Sequence, residues 1–275
     1  MPNYFTKGYH RRTKRQGRRF WRWLEFLCLA VSVACIILLI SNHVRKQQRA
    51  AEELNATRVF DDAQMTVAQG TPAPASSNSP QMLAEAERLL RENPDLVGMV
   101  GYGDSSLYVC QTTDNSYYAS HRFDGSEDPA GMIYMDCRCS AWPLGDNTIL
   151  YGHNMRDGSR FGKLNRLTKQ DYLEEHPIVR YASLYEINDY VPIAVFYASV
   201  DEQSDAYFNF AQPSFPDEQS FNAYVQSVQA RSVIRSSTPV KYGDNLLTLA
   251  TCAGDAEGER LVVVCAPAPT EASPE

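Results

Sequence analysis

The chain has 275 residues, of which 44% are apolar and 21% charged, and its net charge is −7. That length holds one large domain or two small ones, and that composition is ordinary for a protein that buries a core. The charge is uneven: residues 1–22 carry eight Lys or Arg and no acid, which leaves the other 253 residues at −15. A basic tail could address nucleic acid, but the segment that follows it excludes that reading.

Residues 26–40 read FLCLAVSVACIILLI without a charge, and extended back to Phe20 the run is 21 residues long. About 20 apolar residues cross a bilayer as a helix. Trp21 and Trp23 suit an interfacial belt. A cleaved signal peptide begins similarly, but no small-x-small site follows Ile40, so the run reads as an uncleaved anchor. The cation excess before it places residues 1–19 in the cytoplasm, a single span at 20–40 and the body outside. Of the seven cysteines, Cys28 and Cys35 fall in the span. Cys110, Cys137, Cys139, Cys252 and Cys265 fall outside it, an odd number that leaves at least one thiol free or paired with another chain.

Residues 41–80 read as a stalk, helical over 51–67, followed by the Pro/Ser/Ala-rich linker AQGTPAPASSNSP. The folded domain is expected over 81–266, with a short flexible tail at 267–275. Ser79-Pro80 signals a helix start, Met82, Leu83, Ala86, Leu89 and Leu90 form one stripe, and Asn93-Pro94 stops it. Strands are predicted over 97–102, 106–111, 117–119, 131–137, 148–151, 178–185 and 190–200, punctuated by turn residues. Helices are predicted over 161–173 and 217–232. Two last strands, 245–251 and 260–266, close a mostly β domain.

Those last strands carry the chemistry. Cys252 ends one, and Arg260 opens the next after the connection 253–259. If the two pair antiparallel, the guanidinium lies near the sulfur, where it can stabilise a thiolate or an oxyanion. A cysteine nucleophile also needs a proton donor for its leaving group. His153, in NTILYGHNM where an apolar run meets Gly152 and stops, is placed to reach a cleft; His121 and His176 read as surface residues. Cys137 and Cys139 would share a face of a strand over 135–139. A zinc site made from them with Cys110 and His121 has the wrong spacing, so no metal or cofactor is expected. Cys265 reads as a buried strand residue.

These residues resemble the sortases, and within them class B. The resemblance rests on TLATC (248–252), Arg260 opening RLVVV, and YGHNM (151–155). It extends through NPDLVGMV, QTTDNSYYASHRFDG, AGMIYMD and RFGKLNRL in matching order, about residues 81–266. It implies a closed eight-stranded β-barrel with an N-terminal helix and a long helix inserted before the catalytic strand. It also implies a membrane-anchored cysteine transpeptidase acting outside a Gram-positive cell. Cys252 would attack the Thr carbonyl of a C-terminal sorting signal, His153 would act as acid and then base, and Arg260 would hold the oxyanion. Ala250, Thr251 and Asn154 are the expected substrate contacts. Ala250 departs from the Ser that class B enzymes often carry, and Asp255 reads as a surface residue rather than a partner for the histidine. The partners implied are surface proteins or pilins bearing a sorting signal, with T-G or T-N at the cleaved pair, and an amine of a peptidoglycan precursor or a pilin. Two rivals stand beside this: a non-catalytic binding module on the same scaffold, and a cysteine protease that releases its product to water.

Overall fold

The computed structural model describes residues 9–68, 82–252 and 259–269. The chain divides into two compact units, residues 1–49 and 50–275. In the first, α1 (Tyr9–Ala68) begins, and its apolar window presents Phe20, Trp21, Trp23 and the aliphatic residues that follow without burying them. Among the described residues one helix is long and apolar enough to cross a membrane.

In the second unit, eight strands close a barrel: β1 (Leu96–Tyr102), β2 (Ser105–Cys110), β3 (Ile133–Met135), β4 (Asn147–Gly152), β5 (Val179–Ser183), β6 (Ile187–Ser199), β7 (Leu246–Cys252) and β8 (Glu259–Pro267). Their order around the wall is β1-β2-β3-β4-β7-β8-β6-β5. The β2–β3 and β4–β7 pairs are parallel; the rest are antiparallel. The alternation of β8 explains its unbroken apolar run: Leu261, Val263 and Cys265 fill the interior, while Val262, Val264 and Ala266 face outward. The outer face is covered as well, by α4 (Glu218–Arg231), through Phe221, Tyr224, Val225 and Val228. A strand buried on both faces has no polar side to show.

The structure departs from the sequence expectations in four places. Residues 117–119 form a 3-10 turn rather than a strand. The Asp114 carboxylate accepts from the Ser116 and Tyr117 N–H groups and caps that turn. The helix expected over 161–173 breaks into a 3-10 stretch (Gly162–Thr168) and the short α3 (Gln170–Glu175), with Lys169 extended between them. Cys137 and Cys139 share no strand face: β3 stops at Met135 and the chain turns, leaving Cys137 exposed and Cys139 buried. Finally, the segment read as stalk is drawn into the domain from residue 50 onward. Ala56, Val59 and Phe60 of α1 bury against Leu96, Met99 and Tyr108 together with Leu89 of α2 (Ala84–Glu92). The Ser79-Pro80 start signal, the linker, the 253–258 connection with Asp255, and the end of the tail lie outside the described residues.

Candidate active site

Three neighbouring strands deliver the residues singled out in the sequence to one end of the barrel. In the β4–β7 pair, Tyr151 lies opposite Ala250 and Gly152 opposite Thr251, so His153 follows directly beside the end of β7. In the β7–β8 pair, Cys252 lies opposite Arg260. Adjacent strands run about 4.8 Å apart. The backbone of Cys252 is thus flanked by the histidine on one side and the arginine on the other.

The turn that carries His153 is built tightly. A side chain at Gly152 would run into Ile133 and the Phe161 ring, so only glycine lets β4 reach this position. The His153 carbonyl accepts from two backbone N–H groups, those of Met155 and Phe161, each at 3.1 Å. Asn154 bridges to Arg160 across the same loop. Burial lowers the His153 pKa from its ordinary value, and the Arg260 and Arg160 cations lower it further against a weaker opposing pull from Asp128. The ring therefore favours its neutral form.

Beside these residues lies a groove of about 470 Å³. His153, Arg260, Ala250, Tyr151 and Tyr134 line its floor, and residues 207–211 with Val200 form its wall. The wall belongs to the long connection between β6 and α4 and is tied down by side chains. Tyr224 Oη donates to the Phe210 carbonyl at 3.0 Å, and Arg138 Nη2 donates to the Ala211 carbonyl at 3.1 Å. Arg138 also grips Asp136 through Nε and Nη2, and Asp136 Oδ2 accepts from Tyr151 Oη at 2.9 Å. Burial alone would raise the Asp136 pKa, but the bonds from Arg138 and Tyr151 outweigh it and hold the carboxylate below its usual range. One buried carboxylate thus fixes a floor residue and, through Arg138, the wall.

The expected contacts distribute unevenly. Ala250 lines the groove and Thr251 is buried behind it. Asn154 does not line the groove; its Oδ1 accepts from Asn165 Nδ2 at 2.9 Å, so it organises the loop. His121 stacks on Tyr117 and His176 is exposed near Tyr172. Cys110, Cys139 and Cys265 are buried and unbridged, and burial pushes each thiol up, Cys139 to about 11, away from thiolate chemistry. The sequence reading missed the 207–211 wall. Its signal was YFNFAQP, an aromatic-rich stretch between a strand and a helix, where a solvated loop would be polar.

No family model matches the chain. Among curated proteins it is 31% identical over 205 residues to sortase B of Listeria monocytogenes, covering 74% of this chain and 80% of that protein. It is 27% identical over 252 residues to sortase B of Staphylococcus aureus, covering 90% and 96%. Among solved structures it is similar to a Staphylococcus aureus sortase B–substrate complex, with a TM-score of 0.67 at 26% identity over 81% of this chain and 97% of that one.

Proposed function

Since the chain belongs to the sortase B family and is a cysteine transpeptidase, we propose that Cys252 is its nucleophile, His153 its acid and base, and Arg260 the group that holds the oxyanion. The observation that carries this assignment is the register, which sets Cys252 opposite Arg260 and beside the Gly152–His153 end of β4. The reacting state pairs the Cys252 thiolate with the protonated, minority form of the His153 ring; the thiolate adds to the carbonyl carbon of a Thr in the sorting signal, and the oxyanion that forms accepts from the Arg260 guanidinium. The C–N bond then breaks, the protonated His153 gives its proton to the departing amine, and a thioester remains. An incoming amine, deprotonated by His153, attacks that thioester; the C–S bond breaks and the thiolate returns. A guanidinium is suited to the task because it stays charged and presents several donors. Removing one oxyanion donor costs on the order of 10²-fold in turnover.

The groove along Ala250, Tyr151 and residues 207–211 is the proposed seat of the sorting-signal peptide. The proposed acceptor is an amine of a peptidoglycan precursor or of a pilin. Residues 20–40 are proposed as a single-pass membrane anchor, with 1–19 cytoplasmic and the barrel outside; the exposed apolar window of α1 supports this. The decisive experiment is Cys252→Ala. Cleavage of a sorting peptide should vanish while the melting midpoint holds, and in the wild type an added amine should divert the acyl product from acid to amide. Cleavage by the variant at the wild-type rate would overturn the assignment.

A further inference from the structure

Arg160 occupies an expensive position. It has φ of 54°, the left-handed region that a residue with a Cβ rarely enters, and its side chain is 2% exposed. Its guanidinium reaches Glu52 of α1, with Nη1 at 3.1 Å from Oε1 and Nη2 at 3.4 Å from Oε2. Its backbone N–H donates to Glu53 Oε1 at 2.9 Å, and its carbonyl accepts from Tyr102 Oη at 3.0 Å. Its Nε is buried and has no partner among the described residues. A glycine would take this backbone without strain, and an apolar neighbour would fill the space without desolvating a cation. Fold stability alone gives no reason for an arginine here.

The position supplies the reason. Arg160 bridges to Asn154, and the next residue, Phe161, donates its N–H to the His153 carbonyl. We propose that Arg160 is a positioning residue: clamped by Glu52 and Glu53, it sets both the place of the His153 loop and the electrostatic field at the imidazole. The inference rests on the assignment of His153 above. The charged groups that act on His153 are Arg260 from β8, Arg160 from its own loop, and Asp128 from the segment before β3. Lys163 of the 3-10 stretch adds a further positive charge that acts on Glu53. Glu52 and Glu53 lie on the same helix as the apolar run of residues 20–40, so the helix that bears the proposed anchor also holds the active-site loop.

The test uses the full chain in detergent, with His153 titrated by NMR and peptide turnover measured in parallel. Arg160→Met removes a cation and should move the His153 titration up. Glu52→Gln removes the carboxylate that pairs with the guanidinium, leaves that cation with Glu53 alone, and should move the titration down. A merely structural role would loosen the loop in both variants, admit water, and move both titrations up towards the ordinary value. Both variants should lose about tenfold in kcat with KM within about twofold, as misplacement of a catalytic group does. Arg160→Lys should keep the wild-type titration and recover part of the rate. If Arg160→Met fails to fold, Glu52→Gln decides the matter: a titration that stays in place or moves up overturns the clamp. A titration that moves down in Glu52→Gln, together with full activity in His153→Ala, overturns the catalytic role of His153 and leaves the clamp standing.

Discussion

Two of the helices packed on the barrel, α4 and α1, do so with different chemistry. In α4, Phe221, Tyr224, Val225 and Val228 are buried against the outward residues of β6, β7 and β8, and the helix start is closed by a capping box in which Asp217 accepts from the Ser220 N–H. In α1, residues 50–62 also bury Ala56, Val59 and Phe60, but Glu52, Glu53 and Asn55 reach past them to Arg160 and Tyr108. Apolar packing has no direction, so α4 can brace the sheet without dictating any side-chain orientation. Carboxylates paired with a strained arginine are directional, and they end on the loop that carries His153. One helix mainly holds the barrel closed; the other adjusts one of its ends.

That division is broken most forcefully by removing bulk from α4. Phe221 is 1% exposed and packs edge-on to Phe215. Phe221→Ala should cost about 3–5 kcal/mol, the loss typical of a buried aromatic truncated to a methyl group. Chemical denaturation reads that number directly. Turnover per folded molecule should stay near wild type, because the packing it removes lies behind β7 and not at its end. A variant that keeps its stability but loses turnover would erase the distinction between the two helices.

A smaller effect, confined to pH windows, separates the helices by the sign of their titrations. Burial, partly offset by Arg160 and Lys163, raises the Glu53 pKa above 4.5. Its contribution to stability is therefore complete below that value and is lost as pH rises through the folded pKa. Asp217 runs the other way: hydrogen bonds from the Ser220 backbone and side chain lower its pKa below 3.8. Its contribution is complete above that value and is lost as pH falls through the folded pKa. Melting midpoints against pH should show Glu53→Gln matching wild type in acid and gaining on it towards neutrality. Asp217→Asn should trail wild type at neutrality and rejoin it in acid. Two parallel curves would mean that neither carboxylate titrates with the fold.

This contrast also marks what could be read from the chain. The β7 and β8 runs, the helix over 217–232 and the motifs TLATC and YGHNM announce themselves locally, through unbroken apolar residues, helical spacing and a glycine before a histidine. The mostly β domain and the candidates Cys252, His153 and Arg260 were legible for that reason, whereas the closure of the strands into a barrel was expected only from the family resemblance. The clamp was not. Glu52 and Arg160 are 108 residues apart, and a charged helix of this kind reads as a solvated stalk until its partner is known. The groove wall failed differently: residues 207–211 take their shape from Tyr224 and Arg138 side chains bonded to the Phe210 and Ala211 carbonyls, with Asn147 bonded to the carbonyl of Gln212 just beyond, and such bonds leave no periodicity in the sequence. The 3-10 turn at 117–119 was lost to the strand preference of its two tyrosines, which the Asp114 cap overrides.

The smallest effect tests whether α4 is as indifferent to the site as its packing suggests. Tyr224 is buried in the apolar cluster, yet its hydroxyl donates to the Phe210 carbonyl at 3.0 Å, and Phe210 belongs to the groove wall. Burial pushes that phenol up to about 12, so it remains a donor throughout the working pH range. Tyr224→Phe keeps the ring and deletes the hydroxyl's bond to the Phe210 carbonyl, which then accepts from the Gln212 N–H alone, for about 1 kcal/mol. If the wall is held by this bond, KM for a sorting peptide should rise severalfold while kcat stays put, because a loosened wall weakens binding without moving His153 or Cys252. Glu52→Gln should show the reverse pattern. Should Tyr224→Phe lower kcat and leave KM alone, α4 would be steering the chemistry after all, and the contrast between the two helices would reduce to one of strength.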